Sequence, residues 1–368
     1  MVTCVTRNYI IAEMSLLSIY AGPTAYRKLQ ADGFHVDQFG ALLGASGGPK
    51  WFVLYGLDRY LFGEFLVSGT RPLDTLGSSA GAWRLSCLAT ADPLRAIDAL
   101  AVGYSEQTYS AAPSVTEITD KMRDMLALVL GTGGASEIVS NERIRTHIIA
   151  DRCKGIGNSS HKAMQMGFLG LSALANTVSR RALSLFFQRT LFTPKPANSP
   201  WGNLTDLDTR LAQLTANNLL DVLIASGSIP FVLSGVRNIE GAHPGMYWDG
   251  GITDYHFDFP FHRGSDLVLY PHFSATVIPG WFDKHLPWRK PHRENFDNVV
   301  LLAPSAEFVN SLPNRKIPDR TDFEAYPEQE RLRIWREVLA SSQALGDAFA
   351  RLVQFGEGLD NMVLLDQF

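Results

Sequence analysis

Twice in about 60 residues this chain passes from a strand pattern through a glycine-rich turn into a helix pattern, an order best accommodated by a parallel sheet with crossover helices. The first unit runs from an apolar stretch at 39–43 into Gly44-Ala45-Ser46-Gly47-Gly48, after which Pro49 opens a helix carrying Trp51, Leu54, Leu57 and Leu61. The second runs from 73–76 into Gly77-Ser78-Ser79-Ala80-Gly81 and a helix from Ala82 onward. A short helix over 22–33 precedes both, with Pro23 near its first turn and Gly33 at its end. Farther on, 93–142 reads as mostly helical and 217–226 as a helix, with strands expected at 144–150, 182–187, 246–248, 266–270 and 299–302. One long helix is expected over 328–353, with Ile334, Val338, Leu345, Phe349 and Leu352 on a single face. Without internal repeats or low-complexity linkers, the simplest account is a single α/β domain over 14–368 with a helical insertion near 93–142. Residues 1–13 read as a disordered extension or a start-site artefact, since Met14 stands just ahead of the first patterned segment.

Charge and cysteine content narrow the function classes. With 33 basic against 37 acidic residues and a net charge of -4, the chain offers no electrostatic reason to bind nucleic acid. Cys4, Cys87 and Cys153 are odd in number and widely spaced, so they build neither a disulfide framework nor a Cys-x-x-Cys metal clamp. A reducing compartment suits them, and no export signal is read at the N-terminus, so a cytoplasmic location is expected. The longest apolar window, 163–178, is interrupted by Gln165, Asn176 and Thr177 and falls short of the roughly 18 to 20 residues that cross a bilayer. It is expected to be a buried or half-buried helix, with a lipid-facing lid as the alternative.

The second glycine turn, Gly77-Ser78-Ser79-Ala80-Gly81, fits a nucleophile elbow, in which small neighbours let a strained strand-to-helix turn lift a serine hydroxyl out of the sheet. The first turn also matches Gly-x-Ser-x-Gly around Ser46. Its continuation, Gly47-Gly48-Pro49-Lys50, lines up backbone amides ahead of a helix and suits an oxyanion better than an attack on a carbonyl. Ser79 is therefore the expected nucleophile. A Walker loop is excluded because Lys50 is followed by Trp51, and no dinucleotide fingerprint occurs there. Trp248-Asp249-Gly250-Gly251 places a carboxylate at the end of a strand pattern, beside glycines that permit a tight turn. Alone it reads as an ordinary Asx turn.

Taken together, the Gly47-to-Lys50 loop, the Ser79 turn and the Asp249-Gly250-Gly251 turn resemble the patatin-like phospholipases in order and spacing. Ala225-Ser226-Gly227-Ser228-Ile229-Pro230-Phe231 is similar to a further stretch of that family, and the likeness extends over residues 39–251. The resemblance implies a three-layer α/β sandwich with a mainly parallel central sheet, and hydrolysis of acyl esters of lipids. It further implies a Ser79–Asp249 dyad working through an acyl-enzyme, an oxyanion hole at Gly47 and Gly48, and Lys50 at the family's basic position. The implied partner is a lipid or other acyl-ester substrate, with no metal and no cofactor. The chain departs from the family pattern at Trp51 and at Ser46, where glycines are usual. An Asp249 base needs apolar surroundings to hold a proton near working pH, and Tyr247 and Trp248 are placed to supply them.

Two rival readings remain at this level. His256, seven residues after Asp249, allows a Ser-Asp-His triad esterase; His243 and His272 carry less weight. A catalytically inactive lipid-binding protein is the other. Residues 280–290 interleave Trp281, Phe282 and Trp288 with Lys284, Arg289 and Lys290, a mixture that suits either peripheral membrane contact or a surface loop with its aromatics tucked inward. No motif is read after about residue 260.

Overall fold

The computed structural model describes residues 16–159, 161–261 and 264–365, so the extension expected at 1–13 lies outside the described residues. In chain order its strands are β1 (Leu17–Ala21), β2 (Phe39–Gly44), β3 (Leu73–Ser78), β4 (Ile144–Cys153), β5 (Phe187–Thr193), β6 (Thr209–Gln213), β7 (Val236–Arg237), β8 (Met246–Asp249), β9 (Leu267–Pro271), β10 (Val299–Pro304) and β11 (Val363–Leu364). They form one sheet in the order β11-β1-β10-β9-β2-β3-β4-β5-β6, with β8 pairing on β4 and β7 on β8. From β10 to β4 every neighbouring pair is parallel, and β3 is buried at all six positions, as expected for a central strand covered on both faces. The helices are α1 (Pro23–Asp32), α2 (Tyr55–Tyr60), α3 (Ala80–Leu88), α4 (Pro93–Ser105), α5 (Val115–Leu130), α6 (Gly134–Ser140), α7 (Lys162–Val178), α8 (Leu219–Gly227), α9 (Ala306–Ser311), α10 (Asp322–Ala325), α11 (Glu328–Ser341) and α12 (Gln343–Phe355). The architecture is the three-layer α/β sandwich with a mainly parallel central sheet. One apolar core runs from Leu17 to Leu365, and a smaller cluster of Cys153, Phe168, Leu183, Phe187, Leu207, Met246, Trp248 and Ile252 lies by α7.

The register of three strands positions the site. Gly44 pairs with Gly77, so both glycine turns leave the sheet side by side at the carboxyl ends of β2 and β3. On β4, Ile149 pairs with Ser78 while Ala150 pairs with Asp249, which brings the end of β8 beside the end of β3. Ligand sites of open parallel sheets commonly form at these strand ends.

Several elements differ from their sequence expectations; the helix expected from Pro49 opens as a 3₁₀ helix, Gly48–Leu54, before α2. The strand expected at 182–187 is a 3₁₀ turn, Arg180–Leu185, and the strand begins at Phe187. Hydrophobic pattern misses β5 because it buries Gln188, Arg189 and Thr190, and Arg189 is paired with Asp206 and Asp254. The long C-terminal helix is two helices meeting at Ser342, whose hydroxyl accepts the Gly56 amide hydrogen and donates to the Leu339 carbonyl. That break lets the chain cross α2 closely: a Cβ on Gly56 would sit 2.3 Å from the Ser342 carbonyl oxygen. Finally, α7 is more exposed than expected, burying Phe168, Ser172 and Asn176 while Met164, Met166, Leu171, Leu174 and Val178 face outward. Among the described residues no helix is long and apolar enough to cross a membrane.

Candidate active site

Ser79 caps the N-terminus of α3 with φ 54° and ψ -132°, a conformation that costs a non-glycine residue on the order of 1–3 kcal/mol. Its amide donates to the Ser226 hydroxyl at 2.9 Å, and that hydroxyl donates to the Ile149 carbonyl at 2.7 Å, which pins the turn to β4. The Ser79 hydroxyl donates to Asp249 Oδ2 at 2.8 Å. Asp249 Oδ1 accepts the Gly251 amide hydrogen at 2.7 Å, and its own amide donates to the Ser228 carbonyl. The 225–231 stretch thus braces both residues, through Ser226 on one side and Ser228 on the other.

Asp249 is 6% exposed, and burial pushes its carboxyl up to about 6 despite the opposing pull of the Gly251 amide, Ser79, Arg320 and Lys284. A carboxylate at this point is ionised at neutral pH yet takes up a proton readily, which is what a general base requires.

The pocket around this pair is lined by Ser46, Gly47, Gly48 and Lys50 from the first glycine turn. Gly48 has φ 56°, a left-handed backbone that favours glycine, and the Arg320 side chain crosses beside it. No protein acceptor among the described residues takes the Gly47 or Gly48 amide hydrogen. Lys50 holds its ammonium 5.2 Å from the Phe273 ring centroid, and burial together with Lys316 and Arg320 lowers its proton affinity against the opposing Asp319. Ser46 bonds to the Ser78 hydroxyl at 2.9 Å and makes no bond to Asp249. Trp51, the departure from the family pattern, is 1% exposed and packs edge-on against Phe52, so it anchors the loop from the core side.

His256 is buried, stacked on Tyr255, and its Nδ1 accepts the Ile278 amide hydrogen at 2.9 Å. Burial, with His272, Lys50 and Lys284 nearby, pushes its proton affinity well below the usual histidine range. Among the described residues no hydrogen bond joins it to Ser79 or Asp249. His243 offers only its carbonyl to the Tyr247 hydroxyl, and His272 is buried against Phe273.

Sequence reasoning missed Ile229, Tyr255, Trp281, Lys284, Arg320 and Thr321 as pocket residues. Ile229 lay within the 225–231 stretch, and Trp281 and Lys284 within the aromatic and basic 280–290 stretch, which were the available signals. Burial pushes the Lys284 ammonium down to about 7, aided by Lys50 and Arg320 and opposed by Asp249. No cluster of three or more His, Cys, Asp or Glu suited to a metal ion occurs among the described residues.

The family model for patatin-like phospholipase matches residues 69–261, a span containing Ser79, the 225–231 stretch and Asp249. No curated protein matches the chain. Among solved structures, VipD from Legionella pneumophila is similar at 14% identity over 95% of this chain and 75% of that chain, with a TM-score of 0.36.

Proposed function

This chain belongs to the patatin-like phospholipase family, and from that premise we propose that it hydrolyses acyl esters of lipids through an acyl-enzyme on Ser79, with Asp249 as base. The observation that carries this reading is the direct 2.8 Å hydrogen bond from Ser79 to a buried Asp249 whose carboxyl is poised at about 6. Asp249 takes the hydroxyl proton as Ser79 Oγ attacks the acyl carbon, and returns it to the leaving alcohol as the ester C–O bond breaks. It then takes a proton from water as the water oxygen attacks the acyl-enzyme, and passes that proton to Ser79 Oγ as the acyl–Oγ bond breaks and the carboxylic acid leaves. The Gly47 and Gly48 amides are the expected donors to the oxyanion formed in each step, and the N-terminus of α3 adds a partial positive charge. The test is a hydrolysis panel of phospholipids, glycerides and p-nitrophenyl esters, run beside labelling with a fluorophosphonate. A folded protein that binds fatty acid yet hydrolyses nothing and takes no label would leave the inactive lipid-binding reading.

The outward face of α7 supports work at a lipid surface. Its exposed Met164, Met166, Leu171, Leu174 and Val178 lie on a helix joined to the 281–290 segment by Asn176, which donates to Asp283 and accepts from Arg289. Trp281 of that segment lines the catalytic pocket, while Trp288 is 64% exposed. Apolar residues flanked by Lys162, Arg181, Arg289 and Lys290 are complementary to an anionic bilayer. The buried, unpaired Cys87 and Cys153 accord with a reducing, cytoplasmic setting.

A further inference from the structure

The catalytic pocket has a volume of about 210 Å³, below the roughly 300–1,000 Å³ of ordinary ligand sites, so a lipid must extend beyond it. Two larger cavities adjoin it, and they differ in chemistry. A cavity of about 790 Å³ shares Ile229, Arg320 and Thr321 with the catalytic pocket. Its apolar wall comes from Ile118 and Met122 on α5, Val232 and Leu233 after α8, and Phe323 on α10. The other, about 650 Å³, shares Lys50, Tyr255, Lys284 and Asp319 with the pocket and adds Arg315 and Lys316. The first cavity is thus walled mainly by aliphatic and aromatic side chains, whereas the second gathers Lys50, Lys284, Arg315 and Lys316 beside Asp319, with Ile278, Val309 and Ile317 among its apolar wall.

We propose that the 790 Å³ cavity is the acyl-chain site, so that the acyl part of the substrate runs past Ile229 between α5 and α10 while the leaving alcohol faces Lys50 and Lys284. This rests on the ester-hydrolase reading and adds to it the direction of the substrate and a preference for long acyl chains. The geometry ties the neck of the cavity to the reacting pair: Ile229 follows Ser228, whose carbonyl accepts the Asp249 amide hydrogen. Ile229 also anchors a tight turn, its carbonyl accepting from Val232 and Leu233, and the next residue, Ser234, donates its amide hydrogen to Thr119 on α5. The neck and wall are therefore parts of one hydrogen-bonded unit. The charged members of the wall are Arg320, Glu324, Glu328 and Arg331, and the Arg331 guanidinium packs 4.4 Å and 4.5 Å from the Phe323 and Trp335 ring centroids.

Hydrolysis of p-nitrophenyl butyrate, octanoate and dodecanoate tests the proposal. Wild-type kcat/KM is expected to rise with chain length by up to roughly fourfold per methylene buried. Val232→Trp, which fills the cavity from the α8 side, should lower the dodecanoate-to-butyrate ratio of kcat/KM at least about tenfold. Ile118→Trp fills it from α5 and serves if the first variant does not fold, with circular dichroism as the check. Leu128→Trp on the exposed face of α5 should keep the wild-type ratio. A wild-type profile that is flat from butyrate to dodecanoate, or a ratio unmoved by both filling variants, overturns the acyl-site assignment while leaving the hydrolase reading intact. A wild type that hydrolyses none of the esters overturns both.

Discussion

Gly81 packs so closely against Gly44 that a Cβ on Gly81 would lie 1.9 Å from the Gly44 carbonyl oxygen. The two serine turns are therefore backbone against backbone, and a side chain at either glycine would push the elbow away from the Gly47–Gly48 loop. Within this joint the serines have different partners, Asp249 for Ser79 and Ser78 for Ser46. Ser79→Ala is expected to abolish ester hydrolysis and fluorophosphonate labelling. Ser46→Ala should slow hydrolysis but leave labelling detectable, because it loosens the loop without removing the nucleophile. Mass spectrometry of the adduct decides between them, and a phosphonate on Ser46 would show the assignment to be wrong.

With Asp249 as the proposed base, its carboxyl is expected to set the pH dependence of hydrolysis. As its carboxyl sits at about 6, kcat/KM on an uncharged ester should rise with pH through that point as the base ionises. The same raised value has a stability consequence of definite sign: the folded state holds this proton more tightly than the unfolded one. Stability is thus highest below about pH 4 for this group and declines as pH rises through 6, by up to about 3 kcal/mol. Asp249→Asn should lose turnover by roughly 10³ or more and also lose that pH-dependent decline. His256→Ala should retain most turnover. If it proves as damaging as Asp249→Asn in a folded protein, a triad replaces the dyad.

The pairing of Ser79 with Asp249 was legible because glycine spacing is local: Gly77, Gly81, Gly250 and Gly251 advertise their turns whatever surrounds them. The parallel sheet was legible for the same reason, two adjacent strand–turn–helix units. Lys284 stood out only as one cation within the mixed 280–290 stretch, and Arg320, between α9 and α10, had no local pattern to mark it as a pocket residue. Hydropathy likewise misplaced β5, where Arg189 is buried by its ion pairs, and α7, where apolar residues face outward.

Arg189 gives a prediction about stability. It is fully buried and binds Asp254 at 2.6 Å and 2.8 Å and Asp206 at 2.8 Å, while Asp151 accepts from Thr253 next door. These bonds clamp the chain directly after Asp249. Arg189→Met leaves the buried Asp254 with only Arg180, at 3.1 Å, as a charged partner, and is expected to cost about 3–5 kcal/mol in urea unfolding. Arg333→Met, which removes a surface pair with Glu337, should cost under about 1 kcal/mol. Equal losses for the two variants would contradict the clamp.

Vesicle co-sedimentation tests the surface of α7. Leu171→Ser with Leu174→Ser removes two side chains that are 54% and 64% exposed, so folding should be little affected. Binding to vesicles containing anionic lipid is expected to fall several-fold, with hydrolysis of a soluble ester unchanged. Binding that survives this pair and also Trp288→Ala would remove both elements as anchors.

Lys284 makes the last prediction. Its ammonium lies 3.8 Å from the Tyr255 ring centroid, has no carboxylate ion pair among the described residues, and holds its proton only to about pH 7. Burial is the main cause, with Lys50 and Arg320 adding repulsion. An anion bound there relieves that repulsion, and does so only while Lys284 is charged. Sulfate, whose own charge is constant in this range, should therefore inhibit hydrolysis of an uncharged soluble ester competitively at pH 6. Its inhibition constant should rise as pH passes 7 and the lysine loses its proton. Lys284→Met should weaken inhibition at pH 6 and flatten its pH dependence. Lys284→Arg should keep the inhibition and flatten the dependence too, because a guanidinium stays charged throughout. Sulfate inhibition with the same pH dependence in all three proteins would mean that the anion binds elsewhere and that Lys284 does not face the leaving group.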